Sequence, residues 1–246
     1  MLRYIRGFFL QIKVLGTRGE INPSIQYHSH HSGVLLNKEI LLDLGEKEFL
    51  KHHPTHILIT HLHPDHAYFV RKNQHNDIQF QKPIYAPEKL NDHPEIKQII
   101  DQFTINSYKI VPIPTHHSKK VKSVAYLIQH KKQRILYTGD LIWINKNYHP
   151  LLHDLDLVIT EASFIRKMGM VRRDKETGQL YGHAGIPRLV RLFKKFTSSI
   201  LFTHFGEWFY ENISQARKQL YDLGKKHEIN VIVGYDGLEL NVKNLS

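Results

Sequence analysis

The residues best suited to chemistry lie in one short stretch of the form His-x-His-x-Asp-His, which contains His61, His63, Asp65 and His66. It directly follows residues 56–60, an apolar run typical of a short buried strand. Because side chains alternate along an extended chain, His61 and His63 point the same way and can bind one metal ion. Asp65 and His66 follow on the turn and can reach a second ion. Neutral imidazole and carboxylate are ligands for zinc, and also for manganese or iron.

The composition limits which ligands and partners are available. The 246-residue chain has 19 histidines and no cysteine, so disulfides and thiolate metal sites are excluded and any metal must bind histidine, aspartate or glutamate. Because histidine is so frequent, we interpret the clusters at residues 28–31 and 52–53 as a consequence of composition. The formal net charge of +11 favours an acidic partner such as a nucleotide, a nucleic acid or an anionic membrane.

Neither a membrane span nor a secretory signal is expected. No window approaches the roughly 18 uncharged apolar residues of a transmembrane helix. Residues 1–15 mix charged with apolar side chains, unlike the unbroken apolar run of a signal peptide. We therefore expect a cytoplasmic protein that does not bind a membrane.

The elements that must position these residues are mostly strands, with helices concentrated in the second half. Apolar runs and alternation predict strands over residues 8–15, 33–36, 40–44, 56–60, 78–80, 83–86, 109–114, 124–129, 134–138, 155–160, 199–203, 231–233 and 238–242. Helical spacing predicts helices over residues 94–103, 186–196 and 214–227. No repeat or linker divides the chain, so we predict one α/β domain, residues 1–246, with two packed sheets covered by helices.

The order of residue types after the strand resembles the signature of the metallo-β-lactamase superfamily. Four further segments resemble motifs of that superfamily: Leu41–Glu46, Tyr137–Asp140, Leu201–His204 and Gly234–Leu240. The resemblance covers nearly the whole chain. It implies a four-layer αβ/βα sandwich with metals at one edge of the sheets.

The resemblance also implies a set of metal ligands. His61, His63 and one histidine of the His116-His117 pair would bind a first ion. We favour His117, because the run that follows it resembles the usual His-Ser run of the superfamily. The second ion would be bound by Asp65, His66 and His204, and both ions by Asp140. Two divalent ions, most simply Zn²⁺ with Mn²⁺ or iron as alternatives, would hold a hydroxide between them for hydrolysis.

Within the superfamily the chain is most similar to the ribonuclease Z-like phosphodiesterases. Glu161–Phe164 resembles their Glu-Ala-Thr-Phe segment, and Tyr181–Ala184 resembles the histidine element that follows it. The resemblance implies that His183 is a general acid or a phosphate ligand, whereas the alternative is a histidine that caps the next helix. We predict Asp65 and His183 as the catalytic residues. Glu161 is either a support for the site or a strand-end carboxylate.

Departures from that branch restrict the expected substrate. Only 22 residues, positions 118–139, separate His117 from Asp140, too few for the long arm with which ribonuclease Z grips transfer RNA. Ala184 also stands where serine is expected. We therefore expect a phosphodiester substrate bound without an arm: a nucleotide, a cyclic nucleotide or RNA. The alternative is a lactone, thioester or other non-phosphate ester hydrolase with the same metals. The resemblance also implies a homodimer.

Two further segments have open roles. The segment Arg166–Lys175 contains five cations, and we predict that Arg172 and Arg173 bind substrate phosphate. The alternative is a solvated loop or a dimer contact. The aromatic run Trp208–Tyr210 could stack on a base, but core or interface packing is the more frequent use of such a run.

Overall fold

The computed structural model describes residues 9–71 and 82–245, so the strand predicted over residues 78–80 lies outside the described residues. The other predicted strands are found with bounds shifted by a few residues. No helix in the described ranges is both long enough and apolar enough to cross a membrane.

The first sheet combines the amino-terminal strands with one strand from the end of the chain. Its strands are β1 (Gln11–Gly16), β2 (Gly33–Leu36), β3 (Ile40–Leu42), β4 (His56–Leu58), β5 (Ile84–Ala86), β6 (Lys97–Gln98) and β17 (Glu239–Asn241), in the spatial order β17-β1-β2-β3-β4-β5-β6. Pairing is antiparallel as far as β3 and parallel from β3 to β6. Strands β2 and β3 form a hairpin. Its turn residues Asn37 and Lys38 have φ values of 46° and 61°, the left-handed conformation that tight hairpins require.

The second sheet is built from the middle and later parts of the chain. Its strands are β7 (Phe103–Ile105), β8 (Tyr108–His116), β9 (Val124–His130), β10 (Gln133–Tyr137), β11 (Trp143–Ile144), β12 (Leu157–Ala162), β15 (Ser199–Phe205) and β16 (Asn230–Val233). The spatial order is β11-β8-β9-β10-β12-β15-β16, with β7 paired to β8. Strands β10, β12, β15 and β16 run parallel, so their carboxyl ends meet at one edge. A separate hairpin consists of β13 (Met170–Arg173) and β14 (Leu180–His183).

Three α-helices lie in the described residues: α1 (Ile186–Phe193), α2 (Glu207–Glu211) and α3 (Ile213–His227). Short 3₁₀ helices span Lys47–His52, Tyr68–Val70, Lys146–Leu152 and Val242–Leu245. The apolar stripe of α1 is buried, as its spacing predicts. Helix α3 begins where the side chain of Asn212 accepts a hydrogen bond from the Gln215 amide.

Apolar layers hold the two sheets and their covers together. Between the sheets, residues such as Leu36 and Leu58 pack in one core with Tyr126 and Ile159. The outer face of the second sheet is covered by the α-helices. The outer face of the first sheet is covered by the 3₁₀ segments, for example through Phe49. The predicted α/β sandwich is confirmed, although α-helices cover only the second sheet in the described part of the chain.

The helix predicted over Pro94–Phe103 is wrong. The segment is extended and contributes β6 at the edge of the first sheet, and β7 then begins at Phe103. Ile96 is buried in the outer core and Ile99 in the core between the sheets, whereas Ile100 is exposed. Apolar residues at this spacing therefore serve two different cores and not one helical face, which local periodicity does not reveal.

Candidate metal centre

The candidate ligands come from loops that leave the strands at the shared edge of the two sheets. His61, His63, Asp65 and His66 follow β4, His117 follows β8, Asp140 follows β10, and His204 is the second-last residue of β15. Contacts across the sheets hold this edge together: the hydroxyl of Tyr126 donates to the carbonyl of Ile59, and the amide of Val124 donates to the carbonyl of Thr60. Positions far apart in the chain thereby form one site.

A first cluster consists of His61, His63 and His117. The Nδ1 atom of His63 lies 3.1 Å from Nε2 of His61 and 3.2 Å from Nε2 of His117. Nitrogen ligands of one tetrahedral zinc ion, each about 2.0–2.1 Å from the metal, lie about 3.3 Å apart. The three nitrogens therefore have the spacing of ligands around a single ion. Oδ2 of Asp140 lies nearby, 3.8 Å from Nε2 of His61 and 3.7 Å from Nε2 of His117.

The hydrogen bonds of these rings determine which nitrogens carry protons. The Thr60 hydroxyl donates to Asp43, so Nδ1–H of His61 donates to the Thr60 oxygen at 3.1 Å. Nδ1–H of His117 donates to the carbonyl of Gly182 at 2.9 Å. The Nε2 atoms of His61 and His117 therefore carry no proton, and their lone pairs face the same atom, Nδ1 of His63. That nitrogen can supply one proton at most. A cation at this point satisfies all three nitrogens.

His117 rather than His116 belongs to this cluster. His116 lies 4.2 Å, centroid to centroid, from the ring of Trp143 in a stacked arrangement, and its Nε2 contacts the side chain of Asn145. Gly182 holds the backbone of His117 as well as its ring, because its amide donates to the His117 carbonyl at 2.7 Å. A Cβ at Gly182, where φ is 117°, would meet the carbonyl oxygen of Met170 at 1.9 Å, so glycine is required at this contact.

A second cluster consists of Asp65, His66, Asp140 and His204, all buried. Nδ1–H of His66 donates to Asp43 at 2.7 Å, and its Nε2 lies 3.4 Å from Oδ1 of Asp140. Both of these atoms are buried without a hydrogen-bond partner among the described residues. Nε2 of His204 lies 2.8 Å from Oδ2 of Asp65. Buried oxygens and nitrogens left unpaired in this way are costly unless a cation binds them, so this cluster also fits a metal ion.

Burial and charge set the protonation of the ligands. Burial lowers the pKa of His61 well below its ordinary value and that of His63 to about 4, which keeps their lone pairs available at neutral pH. Burial alone would raise the pKa of Asp140, but the nearby His204 and His66 lower it by a larger amount. The pKa of Asp140 therefore lies well below the ordinary range. The same opposition holds the pKa of Asp65 low. Both carboxylates are ionised and can bind cations.

Asp43 supports the centre and was not predicted from the sequence. Its completely buried carboxylate accepts hydrogen bonds from the Thr60 amide, the Thr60 and Tyr137 hydroxyls, and Nδ1–H of His66. Such an acceptor fixes the tautomer of the histidine ligand and raises its basicity. One sequence signal could have found it, because Asp43 directly follows the apolar strand β3 just as the predicted ligands follow β4. Asp43 and His204 both adopt left-handed backbone conformations, with φ values of 60° and 51°.

His183 and Glu161 form a hydrogen-bonded pair beside the two clusters. Nδ1–H of His183 donates to Oε2 of Glu161 at 2.8 Å, and Nδ1 also lies 3.8 Å from Oδ2 of Asp140. Glu161 accepts two further hydrogen bonds, from the Leu141 amide and the Ser163 hydroxyl. Burial lowers the pKa of His183, but the Glu161 carboxylate raises it more, to about 9. Glu161 therefore orients His183 and is not merely a strand-end carboxylate.

A cleft of about 550 Å³ opens beside the centre and contains His63, Asp65, His117, Asp140, His183 and His204 in its lining. The basic segment contributes Arg166 and Met170 to this lining, whereas Arg172 and Arg173 lie exposed on β13 and do not line it. The guanidinium of Arg173 donates to the carbonyl of Gly178 within the hairpin. Substrate binding by Arg172 and Arg173 stays a prediction.

The aromatic run after His204 is divided between the cleft and the core. Trp208 lines the cleft, with its indole N–H donating to the carbonyl of Ala162 at 2.8 Å. Phe209 is completely buried against Phe205, and the hydroxyl of Tyr210 donates to the carbonyl of His28. Core packing therefore explains Phe209, and Trp208 is the residue of this run that faces the cleft.

Comparisons with known proteins agree with this architecture. The chain is similar in structure to the metallo-β-lactamase fold protein YhfI from Bacillus subtilis, with a TM-score of 0.70 and 18% identity over 94% of this chain and 98% of that one. A diphosphatase of the PhnP family gives a TM-score of 0.64 at 16% identity, covering 94% and 97% of the two chains. The short form of human tRNase Z gives 0.63 at 18% identity, covering 94% and 99%. A search of curated proteins finds no match in sequence.

A family assignment follows from the sequence match together with the site. Residues 46–205 match the family described as Beta-lactamase superfamily domain, which covers well over half of the chain and includes every candidate ligand. The two sheets and the histidine and aspartate clusters at their edge have the arrangement of a metal-dependent hydrolase of this fold. The chain therefore belongs to the metallo-β-lactamase superfamily.

Proposed function

We propose that the protein is a phosphodiesterase that uses two divalent metal ions, with zinc as the expected metal. The observation that carries the proposal is the hydrogen-bonded pair of His183 and Glu161 beside the two ligand clusters. Hydrolysis of a phosphodiester such as a ribose cyclic phosphate expels an alkoxide, and that leaving oxygen needs a proton. A protonated imidazole at the edge of the cleft supplies that proton.

The ligand clusters and the cleft have separate tasks in this proposal. Bound divalent ions would polarise the phosphoryl group and lower the pKa of the attacking water. Asp65 and Asp140 supply the negative charge that holds such ions, and Asp43 holds His66 in the tautomer that binds. Two of the similar structures are named as a diphosphatase and a tRNase Z, which supports phosphate chemistry for this site.

His183 is placed to deliver a proton to the leaving oxygen. Glu161 accepts from its Nδ1, and Nε2 has no protein partner among the described residues, so Nε2–H is the proton that a substrate can take. The pKa of about 9 keeps the ring protonated at neutral pH, and divalent cations bound next to it would lower that pKa toward the range in which the ring readily releases a proton.

The first experiment separates phosphodiesters from other esters. Protein loaded with Zn²⁺ or Mn²⁺ is assayed with bis-p-nitrophenyl phosphate and with a panel of lactones and thioesters. We expect hydrolysis of the phosphodiester and its loss when the metal is removed. Turnover of lactones or thioesters alone would contradict the proposal and support the alternative ester hydrolase.

A second experiment tests the proton donor through the leaving group. A p-nitrophenolate leaves without protonation, whereas a ribose alkoxide needs a proton. His183→Ala should therefore lower the turnover of a nucleoside 2′,3′-cyclic phosphate by about 10²-fold or more, and that of bis-p-nitrophenyl phosphate much less. Metal content should stay at the wild-type value. Equal losses with both leaving groups would instead indicate that His183 only binds phosphate or supports the fold.

A further inference from the structure

The cleft beside the metal centre is lined by charges of both signs. Arg166 is the one Lys or Arg in the lining formed by the described residues. Outside the metal clusters, the lining carboxylates are Glu20, Glu207 and Glu211. The net charge of +11 is therefore not concentrated where substrate would bind.

Arg166 and His183 both lie beside the ring of Phe164. Its guanidinium carbon lies 5.3 Å from the centroid of Phe164, and the Phe164 ring lies 5.7 Å from the ring of His183. No carboxylate pairs with this guanidinium within residues 9–71 and 82–245. A guanidinium that lies over a ring and has no carboxylate partner keeps N–H groups free, and these match the oxygens of a phosphate.

The carboxylates lie on other parts of the lining. Glu207 and Glu211 are one turn apart on α2, so they share a helix face, and both are exposed. Neither forms an ion pair with any residue in the described part of the chain. Glu20 differs, because both of its oxygens accept hydrogen bonds from Arg71, at 2.9 and 2.7 Å. Glu207 and Glu211 therefore add uncompensated negative charge just after the ligand His204.

We propose that the substrate is a small phosphodiester with a single negative charge. Arg166 contacts its one phosphate, and Glu207 and Glu211 disfavour molecules that carry a further phosphate. This inference rests on the phosphodiesterase function proposed above. A cleft of about 550 Å³ has the size of sites for nucleotide-sized molecules. Glu207 and Glu211 line the same cleft, so a second phosphate bound there meets unpaired carboxylates, and like charges repel. RNA and nucleoside polyphosphates are therefore disfavoured relative to a single cyclic or linear diester.

The test uses two competitors that differ by one phosphate. Adenosine 2′,3′-cyclic monophosphate and its 5′-phosphorylated form are added to the metal-loaded protein during hydrolysis of bis-p-nitrophenyl phosphate. The 5′-phosphorylated form should inhibit at a concentration about tenfold higher or more. In the double variant Glu207→Gln, Glu211→Gln, the ratio of the two inhibitory concentrations should fall toward one. Glu48→Gln makes the same change of charge at an exposed position outside the cleft and should keep the wild-type ratio.

A second variant tests the cation. Arg166→Met should weaken inhibition by both competitors about tenfold and raise KM more than it lowers kcat. Arg191→Met, on the exposed side of α1, serves as the matched control. Stronger inhibition by the 5′-phosphorylated form, equal inhibition by the two competitors, inhibition by neither, or an unchanged KM in Arg166→Met would overturn the inference. Failure of the phosphodiesterase proposal itself is distinguishable, because bis-p-nitrophenyl phosphate would then not be hydrolysed at all.

Discussion

Two segments of this protein have nearly the same histidine content and very different environments. Residues 28–31 contain His28, His30 and His31, and residues 61–66 contain His61, His63 and His66. In the first segment each ring has a separate partner of its own. In the second segment the ring nitrogens face one another and shared carboxylates, which is the arrangement of a metal centre.

The contacts of the first segment satisfy its rings one by one. Nδ1–H of His28 donates to Thr17, whose hydroxyl in turn donates to Asp236. Nδ1 of His30 contacts Asp236 at 3.1 Å. Nδ1 of His31 contacts Glu46 at 2.6 Å. Because each ring has a protein side chain as its partner, none needs a shared cation. These histidines hold a loop in place.

The difference shows that position relative to strand ends matters more than histidine number. Residues 28–31 occupy the loop between β1 and β2, an antiparallel pair. Residues 61–66 leave the end of β4. The loops that follow β8 and β10 place His117 and Asp140 against them, and the end of β15 places His204 there. The sheets thus bring seven candidate ligands together at one edge and none from the first segment.

The largest expected effect comes from removing a ligand of the first cluster. His61→Ala should lower kcat/KM for bis-p-nitrophenyl phosphate by at least about 10³-fold, because metal binding accounts for several kcal/mol of the transition-state stabilisation. His30→Ala in the other segment should stay within about twofold of wild type, as surface substitutions usually do. Steady-state kinetics and metal analysis of both variants measure the contrast. Equal activity of the two variants would show that the segments do not differ as described.

The next effect concerns the pH dependence of stability through His28. Burial lowers the pKa of His28 to about 4, whereas the unfolded chain takes up that proton near pH 6.5. The folded state therefore loses stability as the pH falls below 6.5, by roughly 2 kcal/mol between pH 7 and pH 5, and stability is full above 6.5. His28→Gln should remove this part of the pH dependence in urea unfolding at fixed metal content. The same dependence of the unfolding free energy on pH in variant and wild type would contradict the burial of a neutral His28.

The third effect tests the support of the second cluster. Asp43→Asn removes the charged acceptor of His66 Nδ1–H and should weaken metal binding by about 10–100-fold. Glu46→Gln removes the corresponding carboxylate beside His31 and should leave metal affinity unchanged. Competition with a fluorescent zinc chelator measures both affinities, and circular dichroism checks folding. Wild-type affinity in a folded Asp43→Asn would remove Asp43 from the centre.

The sequence predicted the site better where the geometry is local. The period of two along an extended chain was enough to pair His61 with His63 and to place Asp65 and His66 on the following turn. His117, Asp140 and His204 came from resemblance to a superfamily, since no local rule connects residues so far apart. The helix predicted over residues 94–103 failed because its apolar side chains serve two separate cores.

Residues that act through contacts across the molecule were not predicted. Asp43 supports His66 from another strand, and its part in the centre depends on the parallel pairing of β3 with β4. The sequence suggested Arg172 and Arg173 as phosphate contacts, whereas the cation of that segment that lines the cleft is Arg166. Which cations of a loop face a cleft depends on how the loop packs, and charge alone does not reveal it.

By itself, the sequence determined the types of ligand, through the missing cysteines and the His-x-His-x-Asp-His order, and the class of fold, through the alternation of its strands. Only the tertiary structure decided which nitrogens carry protons, which loops meet at the sheet edge, and which charges line the cleft. The physical reason is distance along the chain. Alternation and turn chemistry act over a few residues, whereas the convergence of lone pairs from β4, β8, β10 and β15 exists only after two sheets have packed.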